Sequence, residues 1–487
     1  MSEPLALDMY VDGKRVEARS GERFDVLNPA TGEIYASVPK AGLEDVDAAV
    51  EAARRALEGP WRSLSAIDRG AVLRKLAVGL ESRADAFAVA ETSHNGKTIG
   101  EAEFDVASTV GCFDYYAGAP TKYFGETISG PSDFLLYTRR EPVGVCALIV
   151  PWNYPLAIAI WKLAPALAVG CTVILKPASD TPVTALMLAD LVEEAEIPPG
   201  VVNIVTGPGA VVGNRLVAHP GVDKVSITGE TTTGKEVMRV GAETLKRLTL
   251  ELGGKSPALV FADADLDAAV DASLFMIYTN AGQVCDARSR IFVQDSAYDG
   301  FVSTFVERAA QLRVGDPMDR SNHVGAITSA RQLERVEYYV ELGQKEGARL
   351  VVGGERIQSP GCFYRPTAFA DVDNSMRIAQ EEIFGPVAVI ARFRDYDEGI
   401  RLANDTAYGL AATVWTGDLT TAHRAAHDIK AGGVWVNTSE FLFNESPFGG
   451  MKASGFGREL GLHGLDAYTE IKNVGISLGA HMPRFEL

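Results

Sequence analysis

The sequence predicts an α/β fold built on two parallel sheets, and three observations carry that reading. Short apolar runs recur at 145–150, 172–175, 201–205 and 225–228, with helix-like segments between them at about 155–169 and 182–195. Strand, helix, strand at this spacing gives a parallel sheet with right-handed crossovers. A second alternating stretch begins near Ser256 and runs through 291–293, 350–352, 387–393 and 434–436, which asks for a second α/β domain. The chain of 487 residues is 47% hydrophobic, enough for separate cores in about two to four domains.

Along the chain, Asp12-Gly13 between Tyr10-Val11 and Val16 signals a hairpin. From 43 to about 95 the pattern is helical, with Ala49, Val50, Ala53 and Ala56 spaced by three and four. Ser65-Ala-Ile-Asp68 offers a cap for the next helix. Pro155 and Pro182 suit first-turn positions, where a missing N–H costs nothing. The apolar run 145–175 is not a membrane span. It holds Asn153, Lys162, Pro151, Pro155 and Pro165, whereas a spanning helix needs about 20 largely uninterrupted apolar residues. It reads as a buried strand, turn, helix and strand. Two strand-like stretches, 134–140 and 471–478, have no local partner. They pair with each other or with another subunit, or else form a local hairpin edge.

The net charge of −18 disfavours a nucleic-acid surface. Five widely spaced cysteines without a C-x-x-C pair argue against disulfides and zinc, and for a reducing compartment. The first residues lack the basic region and apolar core of a signal peptide. A cytoplasmic protein with no membrane partner is expected.

Cys285 sits in Asn280-Ala-Gly-Gln-Val-Cys285-Asp-Ala-Arg-Ser-Arg290, a Gly-containing turn before a strand. A thiol needs the least activation of the common nucleophiles, although a lone cysteine is more often a small buried residue. Arg288 and Arg290 either depress its pKa or buttress the turn. Glu251 lies between Leu250 and Leu252 at a strand end. An apolar setting disfavours the ionised carboxylate and suits a general base or acid near neutral pH; a strand-edge carboxylate facing water is the alternative. Asn153, in Pro151-Trp-Asn-Tyr-Pro155, presents an amide to a developing oxyanion or merely caps a helix. Lys176 ends a parallel strand, the edge where open sheets bind ligands, or is a surface lysine. Thr228-Gly-Glu-Thr-Thr-Thr-Gly234 follows a strand and opens a helix whose N–H groups can hold an anion, though a plain turn fits equally. Gly207, Gly209 and Gly213 lack the spacing of a dinucleotide fingerprint. His423 and His427 are four apart but have no accompanying Glu or third ligand, so no metal site is expected.

Taken together these motifs resemble the aldehyde dehydrogenase superfamily, from Asn28-Pro-Ala-Thr-Gly32 to about Lys472. The likeness rests on ordered motifs: Pro151-Trp-Asn-Tyr-Pro155, Lys176-Pro-Ala, Glu251-Leu-Gly-Gly-Lys255, Gly282-Gln-Val-Cys285, Glu381-Glu-Ile-Phe-Gly-Pro386 and Pro447-Phe-Gly-Gly-Met-Lys-Ala-Ser-Gly455. The resemblance implies a Rossmann-like NAD(P)-binding domain (1–121 and 143–252), an α/β catalytic domain (253–455), and a small β oligomerisation arm with a C-terminal tail (122–142 and 456–487). It implies a homo-oligomer, dimer or tetramer. It also implies roles. Cys285 attacks the aldehyde, Asn153 and the Cys285 N–H hold the oxyanion, and Glu251 activates the water that hydrolyses the thioester. Lys162 supports the site from the helix after Asn153. By the same resemblance Lys176 and Glu382 bind the riboses and Phe384 packs at the nicotinamide end. Trp152, Thr228, Gly229, Gly234 and Leu252 line the cofactor path, with position 179 beside the adenosine ribose.

Three positions depart from common family patterns. Ser179 stands where many NAD-preferring members carry Glu, so NADP acceptance is expected alongside NAD. Glu230 replaces a small residue beside Gly229, and Asp286 follows the cysteine. The implied aldehyde tunnel comprises Ser108, Tyr154, Ile158, Trp161, Asp286, Phe441, Leu442 and Phe448, largely aromatic and apolar. A medium-chain or aromatic aldehyde is the first expectation. Ala107 and Ser108 do not supply the acids of cation-selective members, but Glu440 and Asp286 keep a betaine aldehyde or amino-aldehyde open; a semialdehyde is a further alternative, against which an acid at Asp286 would count. An acylating enzyme that uses coenzyme A is disfavoured by Glu251. A non-redox thiol esterase, or a structural protein on the same fold, is the alternative of another class.

Overall fold

The computed structural model describes residues 3–439 and 442–479. An eight-stranded sheet organises the first half of the chain. Its central five strands are parallel, in the spatial order Arg247–Glu251, Lys224–Thr228, Val145–Ile149, Thr172–Lys176, Val202–Ile204. Antiparallel strands close both edges, Gly455–Phe456 on one side and the Met9–Val11/Lys14–Val16 hairpin on the other. That hairpin turns at Asp12 (φ 54°) and Gly13 (φ 75°), the left-handed pair a two-residue turn requires.

After the edge hairpin, the parallel set begins in the middle, at Val145–Ile149. It then builds outward on one side through Thr172–Lys176, and later on the other through Lys224–Thr228. The strand order therefore reverses beside Val145–Ile149. Open α/β sheets bind ligands outside the carboxyl ends of their strands at such a switch point. Asn153, Thr228 and Glu251 all follow or end strands there.

The helix Pro155–Val169 starts at its proline and is buried on nearly every face, including Lys162 and the interior Pro165. A helix that is apolar all round is a core helix. Among the described residues no helix is long and apolar enough to cross a membrane. Ser65 caps Ala66–Glu81 in a reciprocal box with Asp68.

A seven-stranded sheet organises the second half, in the order Arg349–Val352, Thr367–Ala370, Val387–Phe393, Arg290–Gln294, Pro257–Val260, Ala411–Trp415, Gly433–Val436. All neighbours are parallel except Arg349–Val352, which runs antiparallel at one edge rather than extending the parallel set. Separate clusters of buried side chains pack on its two faces. A small sheet of Leu5–Ala6, Arg23–Leu27 and Ile34–Pro39 lies outside both expected rhythms.

The two partnerless stretches pair with each other. Thr469–Ser477 runs antiparallel along the whole of Phe134–Pro142, with Thr127–Ile128 beyond it. One assignment needs correction. The stretch from 456 was expected to leave with the arm, but 455–468 stays on the first sheet. Gly455–Phe456 is a strand of that sheet, and Glu459 is buried against Lys162. The short Gly461–Asp466 helix packs on Pro155–Val169. A buried carboxylate needs a charged partner, and that partner sits on the first domain. The chain departs only at Thr469; residues 480–487 lie outside the described residues.

Candidate active site

The cysteine turn is built from unusual backbone. After the helix Leu266–Tyr278, Asn280 (φ 47°), Ala281 (φ 51°) and Gly282 (φ 73°) are all left-handed. This conformation costs an L-residue roughly 1–2 kcal/mol. Only glycine fits at 282, where an added Cβ would fall 2.1 Å from the Gly385 carbonyl oxygen. Gln283, fully buried, staples the turn. Its amide donates to the Asn280 carbonyl at 2.9 Å and its side-chain oxygen accepts from the Thr328 N–H at 2.9 Å.

Asn153 faces this turn from the end of Val145–Ile149. One of its amide N–H groups goes to the Gln283 carbonyl at 2.9 Å. Its own carbonyl accepts from Asn280 Nδ2 at 2.8 Å and from Asn95 Nδ2 at 3.3 Å, and Asn95 also holds the Trp152 carbonyl at 2.7 Å. The two loops are thus tied by reciprocal side-chain-to-backbone bonds, which use one of the two Asn153 amide protons.

Two cavities meet at Cys285, which is half-buried and which alone among the described residues lines both. The first lies at the switch point. It is lined by Trp152, Asn153, Thr228, Gly229, Leu252, Glu382 and Phe384, which the sequence singles out, and also by Glu230, Gln332 and Arg335. The Trp152 and Phe384 rings meet edge to face at 5.1 Å. Thr228 Oγ1 is buried without a hydrogen-bond partner. Burial pushes the Glu382 carboxyl up to about 7, and the Gly254 N–H at 2.9 Å partly offsets it. Glu230 lines this cavity too, 3.8 Å from Arg335. Three expected cofactor residues do not line it. Lys176 is buried at its strand end, its Nζ bonded to the Pro177 carbonyl at 3.0 Å, and burial lowers it to about 8. Ser179 Oγ donates to the Gly207 carbonyl at 3.1 Å. Gly234 backs Leu252 instead, since a Cβ there would fall 2.5 Å from a Leu252 methyl.

The second cavity, about 430 Å³, is lined by Ser108, Tyr154, Ile158, Trp161, Asp286, Leu442 and Phe448, with the buried Met276 and the exposed Phe104 and Phe275. Trp161 and Phe448 pack at 5.7 Å. Phe441 and Glu440, also considered from the sequence, lie outside the described residues.

Glu251 is 3% exposed and lines neither cavity. Its Oε1 lies where a Cβ on Gly449 would be 2.7 Å away, and neither oxygen is hydrogen-bonded. Burial raises its pKa well above the usual range, Glu459 raises it further, and Lys162 opposes both. Lys162 Nζ is ion-paired to Glu459 Oε1 and lies 3.2 Å from the Ser226 hydroxyl.

The model of the aldehyde dehydrogenase family matches residues 16–474. This chain belongs to the aldehyde dehydrogenase family. An aldehyde dehydrogenase of Emericella nidulans is 45% identical over 478 residues, covering 98% of this chain and 96% of that protein. A betaine aldehyde dehydrogenase of Bacillus subtilis is 44% identical over 476 residues, 96% of this chain and 97% of its own. The NAD+ complex of a Bacillus cereus aldehyde dehydrogenase superposes with a TM-score of 0.96 at 45% identity, covering 97% of each chain. The enzyme is an NAD-dependent aldehyde dehydrogenase.

In this dehydrogenase the two arginines near Cys285 are both committed elsewhere. Arg290 is a buttress, donating to the carbonyls of Lys255 and Ala403 and to Asn374 Oδ1. Arg288 bonds Thr413, lies over the Trp435 ring and pairs with the buried Asp286 carboxylate at 3.2 Å. His427 sits at the surface, 3.1 Å from Asp428. Sequence reasoning missed Glu459, Glu101 and Asp105. The last two line the aldehyde cavity with Ser108. Their spacing of four, then three, puts all of them on one helix face.

Proposed function

We propose that this enzyme oxidises a medium-chain or aromatic aldehyde to its carboxylic acid through a covalent Cys285 adduct. The single observation that carries the mechanism is the position of Cys285 at the meeting of the two cavities. The thiolate attacks the carbonyl carbon from the aldehyde side. The second Asn153 amide proton and the Cys285 N–H stabilise the oxyanion where charge develops. The switch-point cavity fits a dinucleotide. It offers the Glu382 carboxylate for hydroxyls, the unpaired Thr228 hydroxyl, and the first turn of the Thr231–Gly241 helix for an anion. NAD bound there supplies the hydride acceptor. Glu251 then takes the proton from the hydrolytic water after its side chain turns from the Gly449 side toward Cys285, and the thiolate leaves.

The wall of the aldehyde cavity supports an uncharged substrate. Three carboxylates reach it, but each is answered. Glu101 accepts four hydrogen bonds, Asp105 pairs with Lys97, and Asp286 pairs with Arg288. The remaining lining is mainly aromatic and aliphatic, and each buried substrate methylene contributes about 0.8 kcal/mol. For the cofactor, no carboxylate stands at Ser179 to repel a 2′-phosphate, so NADP is accepted beside NAD. The exposed apolar edge of the arm, with Ile471 and Leu478 each over 60% exposed, supports pairing with a second copy. An aldehyde panel read at 340 nm with NAD and NADP, including a trimethylammonium aldehyde, tests substrate and cofactor together. Cys285→Ala abolishes the signal and Glu251→Gln accumulates an acyl-enzyme visible by intact mass; turnover by Cys285→Ala overturns the mechanism.

A further inference from the structure

We infer that Glu101 is a positioning residue for the reaction, holding the left-handed turn that delivers Cys285. The inference rests on the reading of Cys285 as the nucleophile. Glu101 lies in the first turn of the helix Ile99–Gly118, and its two carboxylate oxygens face different structures. Oε2 accepts from the Thr98 N–H and hydroxyl, both at 2.8 Å, and so caps its own helix. Oε1 accepts from the Asn280 N–H and the Thr279 hydroxyl, both at 2.7 Å. These two donors belong to the strained turn itself. Asn280 is left-handed at φ 47°, and Ala281 follows it at φ 51°.

The same short segment grips the oxyanion loop. Asn95 holds the Trp152 and Asn153 carbonyls, and Glu91 Oε1 accepts from the Leu156 N–H at 3.3 Å. Residues 91–101 therefore act as one clamp whose two jaws are the Asn153 loop and the Cys285 turn. Asn280 joins them, since its N–H is on Glu101 and its amide is on the Asn153 carbonyl. Without an acceptor at Oε1 the Asn280 N–H loses the bond that repays its backbone strain, and the turn relaxes. A shift of about 1 Å at the reacting atom can cost roughly a hundredfold.

The experiment compares Glu101→Gln with Thr98→Ala. Glutamine keeps the shape but turns an NH2 toward one of the two donor pairs. Thr98→Ala weakens only the cap. The readouts are the rate of Cys285 alkylation by iodoacetamide, which needs no aldehyde, and kcat and the KM for NAD. Glu101→Gln is expected to slow alkylation about tenfold and kcat by roughly ten- to a hundredfold, with the KM for NAD within about twofold of wild type. Thr98→Ala stays within about twofold on every readout while losing thermal stability. Wild-type alkylation in Glu101→Gln, or equal slowing in Thr98→Ala, overturns the inference. Should Glu101→Gln not fold, Thr279→Val removes the neighbouring donor from the same oxygen and is read the same way. Turnover by Cys285→Ala would refute the nucleophile instead, which separates the two failures.

Discussion

Asn153→Ala isolates the oxyanion contact. The Asn153 amide carries two protons, and the structure spends one on the Gln283 carbonyl at 2.9 Å. Only the other can serve the substrate oxygen. Removing one preorganised donor of this kind costs roughly 100- to 1,000-fold in kcat, about 2.7–4 kcal/mol. The alanine also frees the Gln283 carbonyl, two residues from the thiol, so the loss belongs in the upper part of that range. The loop itself should stay in place, because its carbonyls are held by Asn95 and Asn280 rather than by the Asn153 side chain. The KM for NAD is therefore expected to be unchanged. Single-turnover stopped-flow at 340 nm, with saturating NAD, reads the step directly. A loss below about tenfold, or one confined to the KM for NAD, would refute the assignment.

Three further outcomes follow from the same geometry. Glu251 must be ionised to act as base, and its raised pKa means that deacylation gains as pH rises through that value. Glu459→Gln removes a repelling anion and frees Lys162, moving the limb to lower pH, whereas Lys162→Met moves it to higher pH; coincident kcat–pH profiles would exclude this electrostatic link. Ser179→Glu is expected to lower the NADP/NAD ratio of kcat/KM by about a hundredfold, as a carboxylate meets the 2′-phosphate; an unchanged ratio places the phosphate elsewhere. Phe104, 66% exposed at the mouth of the aldehyde cavity, offers a platform for the distal part of a long substrate. Phe104→Ser should raise the KM for decanal several-fold, by about 1–2 kcal/mol of lost contact, and leave acetaldehyde unaffected; parallel changes for both would contradict it.

Much of the fold was legible because its core strands are short, mostly apolar runs. The helix Pro155–Val169 and the strand Val387–Phe393 match the expected bounds. Thr367–Ala370 and Ala411–Trp415 were not anticipated. Alanine and threonine dominate them, and their burial comes from helices packed above rather than from their own hydrophobicity. The antiparallel Arg349–Val352 edge was equally hidden, because strand direction depends on the connection and not on composition. Within the site, the order of the motifs pointed to Cys285, Asn153 and Glu251. Glu459 carried one local signal, an acid beside Leu460 in a Gly-rich stretch, much as Glu251 stands between leucines.

By itself, the sequence determined the two α/β rhythms, and its ordered motifs made Cys285, Asn153 and Glu251 the candidates through their resemblance to the family. The rhythms follow from periodicity, which is a local property. Tertiary structure alone decided how charges cancel. Asp286, ambiguous beside the cysteine, is buried against Arg288; Glu230 faces Arg335; and the acids of the aldehyde wall are answered by Lys97 and by the N–H groups of a turn. The physical reason is that the free energy of a carboxylate depends on what lies within a few ångströms of it. In this chain those neighbours come from residues up to three hundred positions away, as Lys162 and Glu459 show.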